Sequence, residues 1–384
     1  MNIFLFTGIL LFLAIYSGRF FHKIKLPIVT GYILIGFILG NIPIFHTLNP
    51  LFAKTTLFID EFALAVISFE MGTEFSLKKL RKIEKKVVII TIIQAIFTWV
   101  IIFLGLKFFL HIPAAVSIVI ASIGIATAPD IIILVTREYN PKGILSEYLK
   151  GIVTLDDLIT EIMFFISIPV AQSIMQFHYL QSSYAFIIVK EIVFSVALGI
   201  GLGILFTYVA SEFRRLRVLF AVTIGFIFVV IGMSLLLKLH IILIAILTGI
   251  TFTNLSREKR IIHEVLSQID APLFIIFLIV NGSALSVKLI YESHFLGIAL
   301  ILTRGFGKVF GGFLGSSITN LKYRRNAIGW GLLPQSEISI YLAVLARNAL
   351  PYYGNTIFAA IMTGVIFFEI IGAPILKGIL TEKV

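Results

Sequence analysis

The chain has 384 residues, 59% of them hydrophobic and 13% charged, with a formal net charge of +11. Soluble domains average about 25% charged residues, and a water-soluble chain could not hide this much apolar surface in its cores. The composition excludes a soluble enzyme, a secreted scaffold and a disordered protein, and the absence of cysteine excludes disulfides and thiolate sites.

With about 20 apolar residues per bilayer crossing, thirteen spans are expected, at 2–18, 27–45, 56–75, 87–109, 112–136, 148–171, 184–210, 218–237, 239–255, 271–288, 295–318, 327–347 and 354–378. The first has no basic n-region or small-residue cleavage site, so it reads as a retained span rather than a signal peptide. Basic residues crowd into alternate loops, as in Lys78, Lys79, Arg81, Lys82, Lys85 and Lys86; about 23 of the 31 fall on one side and about six on the other. Basic loops stay cytoplasmic, which places the N-terminus outside and the C-terminus inside a multi-pass protein of the cytoplasmic membrane. The same distribution removes nucleic acid as a partner, because these charges flank helices and form no basic face. The chain is expected to be one membrane transport domain, residues 1–384, with no soluble regulatory domain.

Arg304 and Lys308 complete the count of basic residues, and both lie near the middle of the eleventh span. Asp156 and Asp157 lie mid-way along the sixth, with Glu161 one turn on. Each ionisable group at bilayer depth costs a few kcal/mol and marks a functional site by default. Adjacent helical residues point about 100° apart, so the two aspartates cannot share a proton face to face, but they can flank one cation with hard oxygen ligands. Lys308 is the natural counter-charge: burial favours its neutral amine and a nearby carboxylate its ammonium, which suits a proton carrier, although a permanent ion pair is the plainer alternative. Arg304 cannot lose its proton in practice and reads as a structural ion pair with Glu337 or Glu161.

Two spans carry prolines at matching depth. The fifth contains Gly124-Ile125-Ala126-Thr127-Ala128-Pro129-Asp130, and the twelfth Gly331-Leu332-Leu333-Pro334-Gln335-Ser336-Glu337. Proline breaks the helical ladder, and unwound backbone at membrane depth is tolerated only against protein or a cavity. The two spans run in opposite directions, the pattern of an inverted-topology repeat whose broken helices cross at a midplane site. Thr127, Pro129, Asp130, Pro334, Ser336 and Glu337 are the expected cavity and broken-helix residues. Asp130 could cap the second half-helix or add a third carboxylate to the cavity. Gly201, Gly203, Gly311, Gly312 and Gly315 are expected to allow close helix approach.

These residues resemble the membrane domain of the second monovalent cation:proton antiporter family, which includes sodium/proton antiporters of the NapA type and Kef-type potassium systems. The likeness spans nearly the whole chain. Leu26-Pro27-Ile28-Val29-Thr30-Gly31-Tyr32 resembles the family's second-helix pattern and Gly72-Thr73-Glu74-Phe75 its third-helix end; Leu155-Asp156-Asp157 resembles its twin-aspartate motif, and Arg304-Gly305-Phe306-Gly307-Lys308 its lysine helix. The resemblance implies an all-α fold of about thirteen transmembrane helices, working as a homodimer. It implies a core ion-binding part at roughly 87–171 and 295–378, and a dimerisation part at roughly 1–55 and 184–255. It also implies that Asp156 and Asp157 bind the cation (Na+) and protons, and that Lys308 pairs with Asp156 when no cation is bound. Similar proteins usually carry a hydroxyl residue near Asp130 and an arginine where Gln335 stands. Kef-type systems usually append a nucleotide-binding domain, and without one the sodium reading is favoured.

The expected activity is electrogenic exchange of Na+ for H+ by competition for one site under alternating access. A K+/H+ antiporter, or an organic-anion:sodium symporter of the same architecture, is the alternative. No enzyme and no cofactor are expected. Prenyltransferases need a second aspartate-rich segment, and an aspartyl protease needs its two acids on separate helices.

Overall fold

The computed structural model describes residues 3–23, 28–42, 49–80, 84–129, 132, 144–176, 182–213, 215–256, 259–321, 325–350 and 352–381. Among them there is no strand. Apart from a single helical turn at Leu77–Leu80, the helices are α1 (Ile3–Lys23), α2 (Ile28–Gly40), α3 (Asn49–Glu74), α4 (Lys85–Leu104, running into a π turn at Gly105–Phe109), α5 (Ala114–Ile123), α6 (Ile144–Gln176) and α7 (Ser182–Ser211). They continue as α8 (Leu216–Leu237), α9 (Ile241–Leu255), α10 (Lys259–Ser283), α11 (Val287–Ile318), α12 (Arg325–Gly331), α13 (Ile338–Ala349) and α14 (Gly354–Thr381). Among the described residues five helical stretches, within α4, α7, α8, α11 and α14, are long and apolar enough to cross a membrane on length and composition alone.

The chain divides into two compact units. One comprises Met1–Phe20, Gly31–Lys82 and Gln181–Ala284. Its core is a knot of edge-on and tilted rings, Phe69, Phe206 and Phe252, packed with Leu219, Ile227, Val265 and Leu266. Helix α10 starts twelve residues before the expected span at 271–288, on the polar-looking stretch from Lys259. The reason is amphipathic spacing: Ile262, Val265 and Leu266 recur on one face and are fully buried, while Glu264 between them is exposed. Pro272 sits inside this helix.

The second unit comprises Phe21–Thr30, Ile83–Leu180 and Leu285–Val384, and so contains α4–α6 and α11–α14. Its organising contact is α11 against α4. Gly307, Gly311 and Gly315 recur every four residues along one face of α11, and a Cβ on them would stand 2.9–3.0 Å from the Cα atoms of Thr98, Gln94 and Ile90. Only hydrogen side chains let the two backbones come this close, and that approach brings Gln94 to Lys308. Gly312 is pressed against Gly329 of α12 in the same way. In the first unit a Cβ on Gly203 would stand 2.5 Å from Thr251 Cβ, but Gly201 faces open space, so the close approach expected there is not made.

Both helices expected to be broken are broken. The ladder stops after α5 at Ile123, and residues 124–128 are unwound. It stops again after α12 at Gly331 and resumes at Ile338, with residues 332–337 unwound. Asp130 and most of the remainder of the fifth expected span lie outside the described residues.

Replacing glycine by alanine in a helix ordinarily gains up to about 1 kcal/mol. Gly311→Ala should do the reverse and lower the melting temperature of the purified protein, because a methyl there meets Gln94 backbone at 3.0 Å. Gly225→Ala, with nothing within 4 Å of its Cβ position, should leave it unchanged or raise it.

Candidate functional site

The two breaks cross and bind each other. The Ala128 amide donates to the Pro334 carbonyl at 3.1 Å, Thr127 Oγ1 reaches the Leu332 carbonyl at 3.4 Å, and Ser339 Oγ reaches the Ile123 carbonyl at 3.5 Å. Proline at 129 and 334 explains why the ladder fails here.

A helix that stops inside a protein leaves carbonyls without partners, and its C-terminal end carries partial negative charge. Arg304 of α11 meets both ends at once. Its Nε donates to the Gly124 carbonyl at 3.0 Å and Nη1 to Leu333 at 2.6 Å, while Nη2 donates to Ala126 at 2.7 Å and Pro334 at 3.4 Å. The guanidinium is fully buried and lies 4.4 Å from the Phe368 ring centroid, a cation–π contact. The ion pair expected between Arg304 and Glu161 is not formed. The planar guanidinium is already committed to carbonyls, and Glu161 has no hydrogen-bond partner on either carboxyl oxygen among the described residues. The partners of Arg304 are main-chain oxygens.

At the other end of the second break, Glu337 is the N-cap residue of α13, where a carboxylate meets the positive end of the helix dipole. Ser336 Oγ accepts from the Ile338 amide at 3.3 Å. Gln335, between Pro334 and Ser336, is fully buried with neither amide atom hydrogen-bonded among the described residues.

One turn along α11 from Arg304, Lys308 is also fully buried, and its surroundings differ in kind. Its Nζ donates to Asp156 Oδ2 at 2.6 Å, Thr127 Oγ1 at 2.9 Å and Gln94 Oε1 at 3.0 Å. An ammonium has three hydrogens to give, and three side-chain oxygens take them. Asp156, fully buried as well, also accepts from Gln94 Nε2 at 2.5 Å and Thr127 Oγ1 at 2.6 Å. Four side chains from α4, the first break, α6 and α11 thus close a ring of charge-assisted bonds, which are about twice as strong as neutral ones. Asp157 is buried on the same helix at 7% exposure. Thr160 Oγ1 bonds the Asp156 carbonyl at 2.8 Å, so its hydroxyl stays on α6.

The structure therefore brings together Asp156, Lys308 and Thr127 among the expected residues, and adds Gln94. Sequence reading passed over Gln94, although the signal was present: it is an amide in the run Ile89-Ile90-Thr91-Ile92-Ile93-Gln94-Ala95-Ile96-Phe97, where a lone polar side chain at bilayer depth needs a partner.

The sodium/hydrogen exchanger transmembrane family matches residues 8–383, nearly the whole chain. The chain belongs to that family. Among its relatives, this exchanger is 26% identical over 378 residues to the ammonium/H(+) antiporter subunit AmhT of Alkalihalophilus pseudofirmus, covering 94% of this chain and 92% of that protein. Its fold matches that of the sodium proton antiporter MjNhaP1 from Methanocaldococcus jannaschii with a TM-score of 0.76, at 14% identity and over 98% of each chain. The architecture is that of a monovalent cation:proton antiporter, a multi-pass membrane protein whose broken helices cross.

Arg304→Lys should lower the melting temperature markedly, because an ammonium has fewer donors and no planar fork. Each buried carbonyl left unpaired costs about 1–3 kcal/mol. Gln94→Leu should weaken the ring around Asp156 and lower it less. Thermal unfolding in detergent measures both.

Proposed function

We propose that this exchanger trades Na+ for H+ at Asp156 and Asp157, with Lys308 as the tethered competitor of the cation. The observation that carries the reading is the nest of three oxygens, from Asp156, Thr127 and Gln94, filled by the Lys308 ammonium at 2.6–3.0 Å. A pocket that satisfies one monovalent cation with oxygen ligands, fully buried, is already shaped for another once the first withdraws. Buried charges need partners, so Lys308 leaves only as cargo arrives, and it leaves by giving up its proton.

The charge balance follows. With Asp157 protonated and Lys308 paired to ionised Asp156, the centre is neutral. With the cation bound, both carboxylates ionised and Lys308 neutral, it carries one negative charge. Two protons then exchange for one cation, and each cycle moves one net charge under alternating access. In this reading the chain works as a homodimer in the cytoplasmic membrane, and the loop charges support a C-terminus on the inside. A second reading replaces Na+ by K+ or NH4+. It is supported by the nest's present occupant, an ammonium group, and by the ammonium/H(+) antiporter among its relatives.

In proteoliposomes with an imposed pH gradient, adding Na+, Li+ or K+ identifies the cargo by which of them dissipates the gradient. Asp157→Asn should abolish that dissipation; flux at the native level would remove Asp157 from the mechanism. Lys308→Gln should keep some exchange but lose its response to membrane potential, because one proton per cycle has gone. A full potential response in that variant would contradict the proton-carrier role.

A further inference from the structure

Glu161 has no place in the mechanism above, yet it is a buried acid with no hydrogen-bond partner among the described residues. It lies on α6 one turn beyond Asp157, is 3% exposed, and neither carboxyl oxygen has a hydrogen-bond partner among the described residues. Asp156, five residues earlier, takes bonds from three side chains. Among the described residues α4, α5, α12 and α13 pack on α6, and α11, which carries Arg304 and Lys308, reaches it through the Lys308–Asp156 bond. Helix α4 carries Lys85 and Lys86 in its first turn and Lys107 in the π turn beyond it; α5 carries no charge. Helix α12 begins at Arg325, and α13 has Glu337 at its start and Arg347 in its last turn. Helix α6 itself bears Glu147, Lys150, Asp156 and Asp157. None of these forms a salt bridge with Glu161 among the described residues.

An ionised carboxylate buried with no donor and no cation is among the most unfavourable states a protein can hold, and such a group stays neutral instead. A leucine would fill the space without that burden. We propose that Glu161 is a proton-holding site of the exchanger, which in this state carries its proton and exchanges it with Asp157. Side chains four apart on a helix are neighbours, so one water or a rotamer change spans the gap. As the cation leaves, the proton moves from the Glu161 carboxyl to the Asp157 carboxylate; the charge left on Glu161 is then neutralised by a proton arriving from solution. The proposal deepens the reading of Asp157 as a proton ligand and rests on it for the second half of this step.

The test is infrared spectroscopy of the purified full chain with Glu161→Gln, a neutral near-isostere of the protonated acid that should fold normally. The wild type should show the carbonyl stretch of buried, protonated carboxyls, and Glu161→Gln should lose one component of it, leaving the component of Asp157. The variant's exchange in proteoliposomes should lose one titrating step from its pH profile, and Glu161→Asp should restore it. An unchanged carboxyl band in Glu161→Gln, or a pH profile superimposable on the wild type, overturns the proposal. The infrared arm needs no cargo: a wild-type chain that shows the band but exchanges no cation defeats the reading of Asp156 and Asp157 while leaving the protonated Glu161 in place.

Discussion

Lys308 carries its amine into a fully buried place, and three oxygens from Asp156, Thr127 and Gln94 take the three hydrogens of its ammonium. Much of the second unit is arranged to make that substitution possible. The glycine stripe at 307, 311 and 315 lets α4 lie close enough for Gln94 to reach. The break in the fifth span frees the backbone around Thr127 so that its hydroxyl can both receive from Lys308 and donate to Asp156. The helical stretch through Thr160 holds Asp156 in register.

Two cations one turn apart on α11 divide the work according to their chemistry. Arg304 is permanently charged and planar, with five donors in a fixed fork, and it is spent on main-chain oxygens that have nowhere else to turn. It fixes the crossing. Lys308 is a compact charge that can lose its proton, and it is spent on the side-chain oxygens of Asp156, Thr127 and Gln94, which the proposed exchange hands to the transported ion. Exchanging the two residues would ask the lysine to satisfy both helix ends and the arginine to deprotonate, neither of which it can do.

How much of this was legible depends on the scale at which each force acts. Hydropathy marked the spans because every crossing must be apolar over about 20 residues, and prolines 129 and 334 marked both breaks. Depth alone singled out Asp156, Asp157, Arg304 and Lys308, since charges there need a reason. What stayed hidden was partnership. Nothing local tells an arginine that two helix C-termini will meet beside it, so Arg304 was expected to pair with an acid such as Glu161 and instead binds Gly124, Ala126, Leu333 and Pro334. Helix α10 was expected to start at its apolar half, because amphipathic residues 259–270 are too polar to register as a span although one face of them is core.

Competition between a metal cation and protons for one seat is the central claim, and it can be read without a membrane. Sodium chloride added to the purified protein in weakly buffered solution should release protons as it binds, with a smaller release from Lys308→Gln. Cation binding that releases no protons would contradict the account at its root.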